Sequence, residues 1–427
     1  MRILKVTQAY DPFLARGGPA IKVRSIARGL VSLGHQVTVL TADLGFGPAE
    51  ISAAAALKSP HQGWRSERDD IETIYLTTRA RYRNLTINPG VLRFCHSRLP
   101  EFDVVHIYGL YDTLGPAVAR VCRRLSIPYI VEPLGMLRPI DRGFFLKNLW
   151  KGMNHTYLHR ADKIVTTCEM ERGEVLAEGF LAQRVQLRYN GVELDEFRML
   201  PVPGSFRAKL GLTDAQRFVL FLGRIIPRKG ADLLIEAMPR LQNKSLKLVV
   251  AGPEGESGYV NSLRNAAKSR GVESLVLFPG PLYGEDKKAA IVDAALFALP
   301  SRYENFGNSA AEAIACGTPV IVSDQCGIAS LIDGRAGLVC AYNADSLLDC
   351  LSRMLSEESL RRTLASGCPQ VAQELSWSRL IHEVEDTYLQ LTGKMHEADS
   401  ARRSRPVNLK VDCETPLASL NVPPTTH

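Results

Sequence analysis

Residues 301–317 read Ser-Arg-Tyr-Glu-Asn-Phe-Gly-Asn-Ser-Ala-Ala-Glu-Ala-Ile-Ala-Cys-Gly, and they constrain the fold more than any other stretch. An apolar run at 294–300 precedes them and another, at 319–322, follows. Short apolar runs bounded by Gly and Pro are buried strands. Between them, 309–316 has the small-residue composition of a tightly packed helix, closed by Gly317 and stopped by Pro319. The order is therefore strand, loop, helix, strand, the unit of a parallel α/β sheet. In such sheets ligands bind at the loops beyond the carboxyl ends of the strands. This loop ends at a helix N-terminus, whose free N–H groups and dipole favour an anion such as a phosphate.

Two carboxylates frame the stretch, Glu304 in the loop and Glu312 in the helix. Each has two readings. Glu312 fits a capping box with Ser309, in which it returns to the Ser309 N–H, or it faces a ligand. Glu304 is either a solvated loop acid or part of a site.

The chain opens in the same idiom. Residues 2–7 are strand-like, and a loop with Gly17 and Gly18 follows. Apolar positions Ile21, Val23, Ile26, Ala27, Leu30 and Leu33 then recur at helical spacing, up to Gly34 and a strand at 36–41. Further strands are expected at 71–76, 103–108, 128–132, 161–166 and 185–189. Past Pro201, Pro203 and Gly204, more follow at 218–223, 246–251 and 275–279. Residues 42–63 show little periodicity. At 224–230, Arg-Ile-Ile-Pro-Arg-Lys-Gly puts Arg224 and Lys229 between a strand and a helix. There they form either a solvated basic turn or a pair of cations that neutralises a pyrophosphate leaving group.

The Glu-x7-Glu spacing of Glu304 and Glu312, set in Glu-Asn-Phe-Gly-Asn and Ala-Cys-Gly-Thr-Pro-Val-Ile, resembles the signature of the retaining GT4-type glycosyltransferases. Gly17-Gly18, the segment 190–197 and the Arg224/Lys229 turn resemble the same family in the same order, so the likeness spans about residues 2–391. It implies the GT-B fold, two Rossmann-like parallel-sheet domains facing across a cleft. On that reading 1–199 form an N-terminal acceptor domain and 200–375 a C-terminal nucleotide-sugar domain. A helix at 376–392 crosses back to the first domain, and 393–427, with few large apolar groups, form a tail without core-building composition.

The resemblance also implies roles. Gly17 and Gly18 would lie near the donor pyrophosphate, held by Arg224, Lys229 and the N–H groups near Gly307 and Asn308. Glu312 would bind the ribose, and Glu304 with the Phe306–Gly307 backbone the sugar. His106, at a strand end, would face that sugar, although a lone His there is also commonly a packed residue. Many members carry a His where Leu134 stands, so an acceptor or sugar contact from that side chain is lost here or supplied elsewhere. The segment 280–283 would border the nucleobase. With no Asp-x-Asp in the chain, neither a metal nor a cofactor beyond the nucleoside diphosphate sugar is expected. The reaction implied is transfer of a hexose-type sugar to a glycan or lipid-linked acceptor. A nucleotide-sugar epimerase on the same fold and a non-catalytic donor-binding subunit remain open.

Composition sets outer limits. A length of 427 residues suits two domains, and 23% charged residues with 45% hydrophobic ones are those of an ordinary globular protein. Net charge of +7 suits acidic substrates or an anionic membrane surface without establishing either. The basic residues are dispersed and no nucleic-acid motif is present, which argues against that partner. Nine cysteines without a C-x-x-C pair are expected to be reduced thiols of a cytoplasmic protein. Residues 1–6 are too short for the apolar core of a signal peptide, and no apolar run approaches the roughly 20 residues of a membrane span. Peripheral contact with the inner membrane face stays open through two segments. One is the basic, aromatic cluster at 79–83, otherwise a solvated loop. The other is a helix at 142–160, otherwise packed on its own domain.

Overall fold

The computed structural model describes every residue except 15–17, 60–62, 83–84, 138–155, 214, 244 and 395–427. Gly17, most of the expected helix at 142–160 and nearly all of the expected tail lie outside the described residues.

Two sheets organise the chain. The first has nine strands in the order Val185–Leu187, Lys163–Thr166, Tyr129–Glu132, Val104–Tyr108, Arg2–Thr7, Gln36–Ala42, Ile71–Leu76, Gly63–Arg68 and Leu57–Ser59. Seven of them pair in parallel, and the last two extend the edge as an antiparallel hairpin. Neither strand of that hairpin is expected from the sequence, because Leu57, Lys58, Arg65, Glu67 and Arg68 stay exposed and only Ser66 is fully buried. The second sheet has six parallel strands in the order Val276–Gly280, Lys247–Ala251, Phe218–Leu222, Leu296–Leu299, Val320–Ser323 and Gly337–Cys340.

Helices cover both faces of the first sheet, so its strands are apolar on both sides. Along Arg2–Thr7, Ile3 enters one core while Leu4 and Val6 enter the other. Burial of each such side chain contributes about 2 kcal/mol. The helix Trp377–Thr392 belongs to the first of these cores. Its Leu380, Ile381, Val384 and Tyr388 pack with Val23, Ile26 and Leu30 of the helix Gly18–Ser32. Where the chain crosses between the sheets, its two passages are joined: the Val192 N–H donates to Leu375 O at 2.7 Å and the Trp377 N–H to Val192 O at 3.1 Å.

In each sheet the strand order reverses beside the strand that begins it. In the first this happens between Arg2–Thr7 and Val104–Tyr108, and in the second between Phe218–Leu222 and Leu296–Leu299. Chains leave such a pair in opposite directions and open a crevice at its carboxyl end. The candidate site occupies the space these two crevices share. Among the described residues, no helix is long and apolar enough to cross a membrane.

Candidate active site at the cleft

On the second-domain side the site begins where Phe218–Leu222 ends and Arg224 emerges. The short 3-10 turn Pro227–Lys229 closes at Gly230, which has φ +77° and whose missing Cβ would lie 1.9 Å from Pro300 O. Only glycine allows that approach. It brings Lys229 under the loop after Leu296–Leu299, where its ammonium forms an ion pair with Glu304. The loop is braced from both sides. The Glu304 N–H donates to Gln325 O at 2.9 Å, and the N–H groups of Gly327 and Ile328 donate to Glu304 O and Phe306 O at 2.9 and 2.8 Å.

Gly307, at φ +106°, starts the helix Asn308–Ala315, and an added Cβ there would meet Cys326 Sγ at 2.8 Å. Ser309 therefore lies inside the helix, not at its cap, and the capping-box reading of Glu312 is not realised. The Glu312 carboxylate instead takes the Lys287 ammonium at 2.9 Å, with both side chains about a quarter exposed.

The first domain supplies the opposite wall. A cavity of about 470 Å³ is lined by Gly18, Pro19, Lys22, Leu134 and Asn190 from this side, and from the other by Arg224, Lys229, Glu304, Phe306, Asn308 and their neighbours. Of the residues given catalytic or donor-binding roles from the sequence, six meet there: Gly18, Arg224, Lys229, Glu304, Phe306 and Asn308. Gly307 is immediately behind, whereas Glu312 sits apart with Lys287. The two walls touch: Asn190 Nδ2 donates to Asn308 Oδ1 at 3.2 Å and Asn305 Nδ2 to Thr167 Oγ1 at 2.8 Å. Buried Glu171 fixes that wall by accepting the N–H of Gly135 at 2.5 Å and the N–H and hydroxyl of Thr167 at 2.7 and 2.8 Å.

A second cavity of about 570 Å³ adjoins the first, sharing Pro19, Leu134 and Arg224 with it. Thr7, Gln8, Tyr108, Tyr111, Asp112 and Met136 also line it. Burial pushes the Asp112 carboxyl up to about 6, opposed by N–H bonds including that of Gly115 at 2.8 Å.

His106 is a correction. It lines neither cavity and has no exposed surface. Its Nδ1 lies 2.7 Å from the Tyr388 hydroxyl, and the carboxylate of Glu132 is 3.5 Å from its Nε2. Burial, and the nearby Lys5 and Arg188, hold its pKa well below the ordinary imidazole value, so it is neutral. The strand runs two residues further before it ends, and with period 2 the side chain on that face at the crevice is Tyr108. Helix Trp377–Thr392 covers His106 from above.

His106 belongs to a buried charged group absent from the sequence reading. Glu132 accepts from Lys22 through one oxygen and from Arg188 Nη2 at 2.8 Å through the other. Lys5 donates only to the hydroxyls of Tyr108, at 2.8 Å, and Tyr388, at 3.1 Å. Lys22 carried a faint signal: it stands four residues before Ile26 on the helix's buried stripe, while Ile21, counted as apolar, is 52% exposed.

Two Rossmann-like domains facing a cleft, with cations, carboxylates and a helix N-terminus gathered in it, define a GT-B fold glycosyltransferase. Residues 204–368 match the family described as glycosyl transferases group 1, and residues 17–191 the glycosyl transferase 4-like domain. The chain belongs to the glycosyl transferases group 1, of GT4 type. A D-inositol 3-phosphate glycosyltransferase of Nocardiopsis dassonvillei is 33% identical over 70% of this chain and 73% of its own. An uncharacterised glycosyltransferase of Methanocaldococcus jannaschii is 26% identical over 91% and 98%. Among solved structures, the HepE protein of Anabaena in complex with UDP superposes with a TM-score of 0.73 at 18% identity, covering 91% of this chain and 99% of that one.

Proposed function

We propose that this glycosyltransferase moves a hexose-type sugar from a nucleoside diphosphate sugar to a glycan or lipid-linked acceptor, with retention of anomeric configuration and without a metal ion. The observation that carries the reading is the 470 Å³ cavity. Arg224, Lys229 and the N-terminus of Asn308–Ala315 converge there on one side, and the N-terminal end of Gly18–Ser32 faces them. Cations and helix N–H groups are what a diphosphate leaving group requires, and fixed donors cost no reorganisation as its charge develops.

In this reading Arg224 and Lys229 hold the diphosphate and stand in for a divalent cation. Glu304, oriented by Lys229, binds the sugar together with the Phe306–Gly307 backbone. Glu312 binds the ribose, exchanging Lys287 for a hydroxyl pair. The acceptor enters through the adjoining cavity beside Tyr108 and Tyr111. Retention follows the family pattern, in which the leaving phosphate accepts the acceptor's proton on the face of departure. The Anabaena structures with UDP, and with UDP and glucose, make uridine nucleotides the first to try.

The test is incubation with a panel of labelled nucleotide sugars, with and without excess EDTA, and analysis of product stereochemistry. Labelled sugar should move to an acceptor with its configuration kept and at an unchanged rate in EDTA. Epimerised nucleotide sugar with no transfer would replace this reading, and loss of activity in EDTA would remove its metal-free part.

A further inference from the structure

We propose that Lys22 is a ligand of the sugar-bearing phosphate of the donor, supplied by the first domain opposite Arg224 and Lys229. The inference rests on the reading that a nucleoside diphosphate occupies the 470 Å³ cavity. Lys22 is the one charged residue among the described first-domain residues that line it. Its side chain is only 4% exposed. Lysine is rarely kept so deep unless it is paired, because its long stem otherwise carries the ammonium to water.

The pairing is incomplete. Lys22 shares Glu132 with Arg188, so two cations draw on one carboxylate. A second carboxylate that acts on it, Glu171, already accepts three hydrogen bonds from Gly135 and Thr167. Burial and Arg188 press the Lys22 pKa well below the ordinary lysine value, with Glu171 opposing. Lys5, His106 and Cys168 also lie around it, and Arg224, Arg228, Lys229 and Glu304 line the same cavity. An anion arriving in the cavity supplies the missing counter-charge, and Glu132 keeps Arg188 when Lys22 turns away.

Position selects the phosphate. Glu312 and Lys287, at the proposed nucleoside end, do not line this cavity, whereas Glu304, at the proposed sugar end, does. The first-domain wall is also close: a Cβ on Gly18 would lie 2.7 Å from Asn308 Nδ2. The part of the donor facing Lys22 is then the phosphate that bears the sugar.

Calorimetric titration of the full chain with UDP and with UMP tests this; GDP and GMP replace them if the wild type binds only guanine nucleotides. Lys22→Met should weaken UDP binding by roughly tenfold or more, the loss of one charge-assisted contact, and leave UMP within about twofold. Lys22→Arg should recover most of the UDP affinity. Lys22→Gln gives the same comparison should methionine prevent folding. Equal losses for UDP and UMP, or no loss for either, overturn the proposal. Arg224→Ala separates the two levels. If it binds UDP as the wild type does, the diphosphate is not in this cavity and the functional reading falls; if it loses UDP while Lys22→Met does not, Lys22 alone is wrong.

Discussion

Two sets of charges lie on either side of the cleft, and they are built in opposite ways. On the second-domain side Lys229 meets Glu304 and Lys287 meets Glu312, one cation to one carboxylate, with side chains 16–28% exposed. On the first-domain side Lys5, Lys22, Arg188 and His106 gather around Glu132, all within 4% exposure. Water can take the place of either partner in the first set, so a ligand can also do so at small cost. In the second set, Lys22 apart, only protein groups can answer a removed charge, and the rest is held as a unit. Similar residue types thus make an exchangeable lining on one wall and a fixed frame on the other. Lys22 belongs to both, being part of the frame and on the cavity surface.

The sharpest way to break this contrast is to neutralise one carboxylate on each side. Glu304→Gln should cut turnover by at least about a hundredfold if the proposed sugar contact acts mainly in the transition state, with nucleoside diphosphate affinity near wild type. Its unfolding free energy should change by less than about 1 kcal/mol. Glu132→Gln should do the reverse, destabilising by about 3–5 kcal/mol in denaturant titration, because Lys22 and Arg188 are left buried without their counter-ion. Similar stability losses in the two variants would erase the distinction.

A smaller effect is expected at Asp112, a buried carboxyl without a cation. Its pKa is raised to about 6 in the folded protein, so between the unfolded value near 4 and pH 6 the native state binds more protons. Stability from this group therefore falls as pH rises through that window and stays lowered above it. Asp112→Asn, which can still accept the Gly115 N–H, should raise stability at pH 7.5 on the order of 2 kcal/mol and change little at pH 4. Equal gains at both pH values would show that charge is not the cause.

The smallest effect tests Glu312. Glu312→Gln should weaken nucleoside diphosphate binding about 10-fold, the low end for a charge-assisted bond, because Lys287 already competes for the carboxylate. Ser309→Ala should leave stability unchanged, since Gly307 holds the cap position. A stability loss of about 1 kcal/mol in Ser309→Ala would restore the capping role.

What the sequence disclosed was local. The strand, loop and helix around Glu304 follow from an apolar run, a glycine at the turn and small residues in the helix, all within 30 residues. Arg224 and Lys229 were legible for the same reason. His106 was misplaced although the strand was expected to run on to Tyr108, because nothing near it in the sequence shows that its side chain is covered there. The helix that covers it arrives 282 positions later. Lys22 was passed over because a buried lysine is intelligible only beside Glu132, 110 positions away. The edge hairpin at 57–68 escaped notice because five of its nine strand residues are exposed and Trp64, packed in part against Tyr75, makes no alternating apolar pattern.

The helix Trp377–Thr392 has a bearing on how the protein is made. Val23, Ile26 and Leu30 acquire their full cover only when Leu380, Ile381 and Tyr388 have been synthesised. The last strand of the first sheet, Val185–Leu187, leaves the ribosome about two hundred residues earlier. At ordinary elongation rates the first domain then waits roughly 10–40 s with an apolar helix face uncovered. Over that interval the face is open to other chains, the kind of exposure that chaperones or the ribosome surface shield.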